Sequence, residues 1–113
     1  MIVKRKWTDV EIKENKHHLD AREIYHDVHA QIMQLNMKPG EALVPHKTPV
    51  DVVFYVLEGC GTVYIGDEHA EADRDTLVES PKNITHYWEN TGKQNLRIMV
   101  MKIPSPMKSS PVV

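Results

Sequence analysis

The chain has 113 residues, 41% hydrophobic and 27% charged, enough for one domain with its own core and too few for two. Fourteen Lys and Arg stand against sixteen Asp and Glu, a formal charge of -2 that gives no electrostatic basis for binding nucleic acid or an anionic membrane. One cysteine excludes an internal disulfide, and the longest strictly apolar run, Val52 to Leu57, is far shorter than a membrane-spanning helix. With no export signal after the basic Met1 to Lys6, the expectation is a soluble, cytoplasmic protein.

Met1 to Asp20 is polar and mixed, with apolar footholds at Ile2, Val3 and Trp7, and reads as a loose arm with room for one short strand. His17 and His18 fall in it and read as a solvated loop pair, because adjacent residues do not face one site. Asp20 to His29 is the best helix candidate, though short and poorly patterned. From Ala30 to Lys38, Met33, Leu35 and Met37 share one parity while Gln34, Asn36 and Lys38 share the other, the period of a half-buried strand. Pro39-Gly40 ends it. Val50 to Leu57 is β-branched and aromatic, hence a strand, and Glu58 to Gly61 turns it into a returning strand over Thr62 to Ile65. His69 to Arg74 reads as a solvent-facing edge. Short strands follow over Thr76 to Glu79, Ile84 to Glu89 and Leu96 to Ile103, separated by turns at Ser80 to Asn83 and Asn90 to Lys93. Many short strands at close turn spacing indicate an all-β fold, a small antiparallel barrel or sandwich. The expected division is an arm over 1–29, a barrel over 30–103 and a flexible C-terminal tail over 104–113, rich in proline and serine.

Gly40, His46 and Gly59 are spaced as in the first motif of the cupin family, which the segment resembles. That motif reads Gly, five residues, His-x-His, three or four residues, Glu, six residues, Gly. Thr48 stands at the second histidine and Val52 at the glutamate. Pro81, His86 and Asn90 resemble the second motif, with Asp75 and Asn83 in place of its two glycines. Asn and Asp tolerate the left-handed backbone that glycine supplies at such turns. The resemblance spans about Met33 to Lys102 and implies a jelly-roll-like double-stranded β-helix. A cupin fold hosts many activities, so function rests on the site.

The resemblance implies a metal inside the barrel, of which only the ligands His46 and His86 are kept. Two imidazoles suit zinc, nickel or iron, held weakly, and a metal-free pocket is the alternative. The expected lining is Thr48, Val52, Phe54 and Trp88 beside the two histidines. Asp51, turned inward by a bulge, Gln34 or His29 are candidates for a further ligand. Cys60 lacks an adjacent base and reads as structural. Val53, Tyr55 and Leu57 have the parity opposite to the pocket residues and need cover, so a homodimer is expected, with the arm free to swap or to cover an edge. The leading functional expectation is a protein that binds or senses a small molecule. The rival is a metal-dependent oxygenase, isomerase or lyase acting on a small polar substrate.

Overall fold

The computed structural model describes residues 1–106; the tail expected beyond that lies outside the described residues. Eight strands follow a single turn of 3-10 helix at Trp7–Asp9: β1 Asp20–His26, β2 Gln31–Met37, β3 Asp51–Glu58, β4 Cys60–Ile65, β5 Glu68–Asp73, β6 Leu77–Ser80, β7 His86–Glu89 and β8 Leu96–Ile103. They form a five-stranded antiparallel sheet in the order β1-β2-β8-β3-β6 and a three-stranded sheet in the order β5-β4-β7. The segment after β2 extends the smaller sheet through isolated bridges, Ala42 to Glu89 and His46 to His86. This is the all-β, double-stranded β-helix architecture that the sequence implies. Among the described residues no helix is long and apolar enough to cross a membrane.

The core lies between the sheets and follows strand parity. Met33, Leu35 and Met37 of β2 pair with Val100, Ile98 and Leu96 of β8, and Phe54 and Val56 of β3 pair with Val100 and Ile98 from the other side. All of these side chains are buried, and Trp88 of β7 closes them from the smaller sheet. Asp75 and Asn83 do take the left-handed backbone, with φ of 66° and 62°. Asn90 is buried and structural: its side chain donates to the Met37 and Gln94 carbonyls and accepts from the Gly92 N–H.

The N-terminal region differs from its sequence reading. Asp20 to His29, the best helix candidate, forms no helix: its first part, Asp20–His26, is strand β1. A register shift between Glu23 and Tyr25 breaks its period of two, which removes the strand signal from the sequence. The arm packs along the free edge of β1. The Lys13 N–H donates to the Ala21 carbonyl, and the Arg22 guanidinium donates to the carbonyls of Trp7 and Val10. Trp7 lies against both Arg22 and Arg97, with the guanidinium carbons 5.0 and 5.6 Å from its ring centroid.

Candidate functional site

His46 and His86 come together as expected. Their backbones exchange two hydrogen bonds, His46 N–H to the His86 carbonyl at 3.2 Å and the reverse at 2.9 Å. Directly opposed residues of an antiparallel pair project to the same face. The two rings therefore meet edge to face with centroids 4.8 Å apart. His86 is buried, between Ser80 Oγ, 2.7 Å from Nδ1, and Thr48 Oγ1, 3.4 Å from Nε2. Phe54 packs on its ring at 5.3 Å, and Trp88 on Phe54 at 5.6 Å. Burial first, then the neighbouring His46 and Lys102, lower the His86 imidazole to about 4, so it is neutral at pH 7.

A third histidine joins them from the arm. His17, read from sequence as solvated, is 7% exposed, and its ring lies 5.1 Å from that of His46. Asn15 holds the loop that presents it. The Asn15 amide donates to the Lys13 and Leu19 carbonyls, and its Oδ1 accepts from the N–H groups of His17 and Leu19. His18 takes a positive φ of 55°, and Leu19 and Ala21 anchor the loop in the core. The Val44 peptide then sets two tautomers. Its N–H donates to His17 Nδ1 at 2.7 Å, and its carbonyl lies 2.9 Å from His46 Nδ1, which must donate to it. Neutral His17 thus carries its proton on Nε2, a buried N–H without a hydrogen-bond partner among the described residues, whereas neutral His46 has its lone pair on Nε2. Desolvation, followed by His46, Lys16 and Lys102, lowers His17 to about 4 as well.

The fourth polar group is Lys102, which sequence reading passed over. It is fully buried on β8, in register with Gln31 on one side and Val52 on the other, and Val52 is paired with Ser80. Its electrostatic influence reaches both His17 and His86. Desolvation and the cations of Lys13 and Lys16, opposed by Glu23, lower its pKa to about 8, so it remains an ammonium at pH 7. Gln31, also buried, donates from Nε2 to Glu23 Oε2 at 2.7 Å, and Lys13 Nζ lies 3.3 Å from the same oxygen. The signal for Lys102 was its parity: Leu96, Ile98, Val100 and Lys102 share one face of β8. No comparable signal marks His17, whose ring meets the Val44 N–H, 27 residues away, and the ring of His46.

Thr48, Val52, Phe54 and Trp88 are all buried, at or below 2% exposure, around the histidines. The proposed extra ligands lie elsewhere. Asp51 is exposed and accepts from the Lys82 N–H, Gln34 lies on the outer parity of β2, and His29 is exposed. Tyr64 stacks on Tyr87 at 4.3 Å, outside the core. A cleft of about 570 Å³, lined by Val63, Ile65, His69, Ala70, Val78 and Ile84, opens between the β4–β5 hairpin and β6; its Ile65 is paired with His86, but His17, His46 and His86 are not among its lining residues. Buried convergent polar groups mark a site better than surface volume does, so the histidine cluster is the stronger candidate.

The donor set fits a divalent metal poorly. Among the described residues, no group of three or more His, Cys, Asp or Glu side chains is placed to hold one. His17 offers a proton where a ligand needs a lone pair, Thr48 and Val52 are poor ligands or none, and Lys102 adds positive charge. Thr48→His with Val52→Glu restores an imidazole and a carboxylate. It is expected to raise zinc or nickel affinity more than tenfold, about 1.4 kcal/mol or more, in calorimetric titration. Adding Lys102→Met should raise it again by removing the ammonium; equal weak binding by all three forms would contradict this account.

Residues 33–102 match the cupin domain family. Auxin-binding protein 1 of Arabidopsis thaliana is 28% identical over 79 residues, 62% of this chain and 40% of its own length, so the chain spans well under half of that relative. Among solved structures, a predicted oxalate decarboxylase of Thermotoga maritima superposes with a TM-score of 0.78 at 15% identity, covering 92% of this chain and 99% of that one. A RmlC-like protein of Methanocaldococcus jannaschii with a double-stranded β-helix gives 0.75 at 22% identity, covering 92% and 93%. At such identities the superpositions speak for the fold alone. The sequence match extends over more than half of the chain, through both histidine-bearing segments, and this protein therefore belongs to the cupin family.

Proposed function

We propose that this cupin binds a small molecule at the interior cluster of His17, His46, His86 and Lys102. The observation that carries the reading is the meeting of the His17, His46 and His86 rings, from the arm and both motif segments, within electrostatic reach of the buried Lys102 of β8, with His46 half-buried and the others buried. Burying them has a stabilisation cost that an apolar core would avoid, and such departures from core chemistry concentrate at functional sites. Small-molecule relatives by name, such as the auxin-binding protein, agree with this class of partner. The donor set favours binding over a metal-dependent reaction. A library of small polar compounds followed by NMR tests the reading. Hits should shift the ring resonances of His17 and His86; hits confined to the cleft between the β4–β5 hairpin and β6 would move the site there, and the present assignment would fall.

The same reading includes a homodimer working in the cytoplasm. The outer face of the larger sheet supports the dimer. Ile32, Met101 and Val53 form one cross-strand row, and Met99, Tyr55 and Leu77 another. They are half-buried or exposed, while Trp7 and the arm lie over the neighbouring Arg22 and Arg97. Contiguous apolar surface of this kind is best covered by a symmetric partner. Light scattering at micromolar concentration should give twice the chain mass, and a monomer mass would refute it. A single cysteine, half-buried, accords with a reducing compartment.

A further inference from the structure

We infer that the cleft between the β4–β5 hairpin and β6 is a second binding site, for a small apolar molecule with one ammonium group, and that Glu68 meets its charge. The inference is independent of the interior reading, because His17, His46 and His86 do not line this cleft. Strand register builds its floor. Val63 pairs with Ala70 and Ile65 with Glu68 across β4 and β5, and the same two residues pair with Trp88 and His86 on the other side of β4. Directly paired residues share a face of the sheet. Trp88 and His86 are buried in the interior, so Val63, Ile65, Ala70 and Glu68 belong to the inner face of the smaller sheet. The facing wall is Val78 of β6, paired with the buried Phe54, and Pro81 and Ile84 complete the apolar lining. Strands β5 and β6 are the edges of different sheets, and between them the inner faces leave about 570 Å³, a volume suited to a small molecule. The hairpin turn is held in place, since Gly66, at a φ of 58°, donates its N–H to the Thr85 carbonyl at 2.9 Å. The cleft is therefore formed before a ligand arrives.

Charge decides what the cleft accepts. Asp67, Glu68 and Glu79 line it, with no lysine or arginine. Among the described residues, none of these three carboxylates takes part in an ion pair or a side-chain hydrogen bond. Glu68 is exposed, and its register sets it beside Ile65 on the inner face, so a ligand lying on the floor reaches it without displacing protein. An apolar body covering Val63, Ile65, Ala70 and Val78 gains by removing that surface from water. An ammonium at its end gains a charge-assisted hydrogen bond to the carboxylate. An anionic ligand would meet three like charges. A metal ion is poorly served, since among the described residues no three or more His, Cys, Asp or Glu side chains are placed to hold one. An inward charge on an edge strand also discourages pairing with another sheet. If that were its whole role, charged and neutral forms of a ligand would bind the cleft alike.

The test titrates the full chain with benzylamine, its neutral counterpart benzyl alcohol and its anionic counterpart benzoate, read by NMR at the methyl groups. Benzylamine should shift Ile65, Ala70, Val78 and Ile84 saturably and bind about fivefold more tightly than the alcohol, with benzoate weaker than both. Glu68→Gln, an exposed change that spares the fold, should bring the amine to within about twofold of the alcohol and leave the alcohol unchanged. Added sodium chloride should weaken the amine and not the alcohol. Ala70→Leu, which fills the floor, should weaken both. Equal affinity for amine and alcohol, amine binding that survives Glu68→Gln, or benzoate bound more tightly than the amine would overturn the inference. So would the absence of any shift at the cleft methyls. An amine that shifts the His17 and His86 rings instead would belong to the interior site, which would end the cleft assignment and leave the interior reading standing.

Discussion

Acidification from pH 7 to pH 4 is expected to destabilise the protein by several kcal/mol, with His17 and His86 as the main source. Both imidazoles are buried, and their pKa values fall from 6.5 in an unfolded chain to about 4 in the folded one. A group whose folded pKa is depressed in this way favours the deprotonated form in the native state. The unfolded chain therefore binds more protons between pH 6.5 and 4, and stability is fully present above 6.5 and lost as pH falls to 4. A shift of this size corresponds to about 3 kcal/mol for each histidine taken alone. The two contributions are not additive, because His46 acts on both and a charge on one ring affects the others. Lys102 extends the slope in the alkaline range. Its folded pKa of about 8 lies below the unfolded 10.5, so its part of the stability rises as pH goes from 8 to 10.5. Chemical denaturation from pH 4 to 7 should show the acid loss, and His86→Gln or His17→Gln should each flatten it. A wild-type profile flat across this range would mean that the imidazoles are reached by water.

Gly59→Ala is expected to lower stability by more than about 3 kcal/mol, whereas Gly40→Ala should cost only about 1 kcal/mol. Both glycines have a positive φ, 83° and 87°, and both occupy family-motif positions. The left-handed backbone penalises any L side chain by about 1–2 kcal/mol, which applies equally to the two sites. The surroundings differ. A Cβ on Gly59 would collide with the Asn95 carbonyl oxygen and come within 3.1 Å of the Leu96 Cα, whereas nothing lies within 4 Å of a Cβ on Gly40. The obstructing atoms at Gly59 are backbone at the start of β8, so relief requires moving the strand that carries the inner row from Leu96 to Lys102. Urea midpoints of the two variants read the difference. Equal losses would mean that φ alone governs both positions.

The fold and half of the site were legible in the residues themselves, because the information there is local. Gly40, His46 and Gly59, then Pro81, His86 and Asn90, stand at spacings that turn geometry and strand parity turn directly into structure. The left-handed turns at Asp75 and Asn83 follow from side chains that tolerate them. Parity also placed Thr48, Val52, Phe54 and Trp88 inside, where they are buried. The same parity carried Lys102 inward with Leu96, Ile98 and Val100, but a lysine in a strand is ordinarily solvent-facing, and composition outweighed period. Strand β1 was hidden by its register shift, which interrupts the alternation that would identify it. His17 was beyond any local signal. Its burial depends on Asn15 closing a loop, on Leu19 and Ala21 entering the core, and on the Val44 peptide, 27 residues further along, meeting its ring. The sequence by itself determined the strands and turns of the barrel and the meeting of His46 with His86, because short-range sterics and a period of two suffice for those. Only the tertiary structure decided that His17 of the arm joins His46 and His86, and that its ring presents an N–H where His46 presents a lone pair, because a tautomer is set by which distant backbone group reaches the ring.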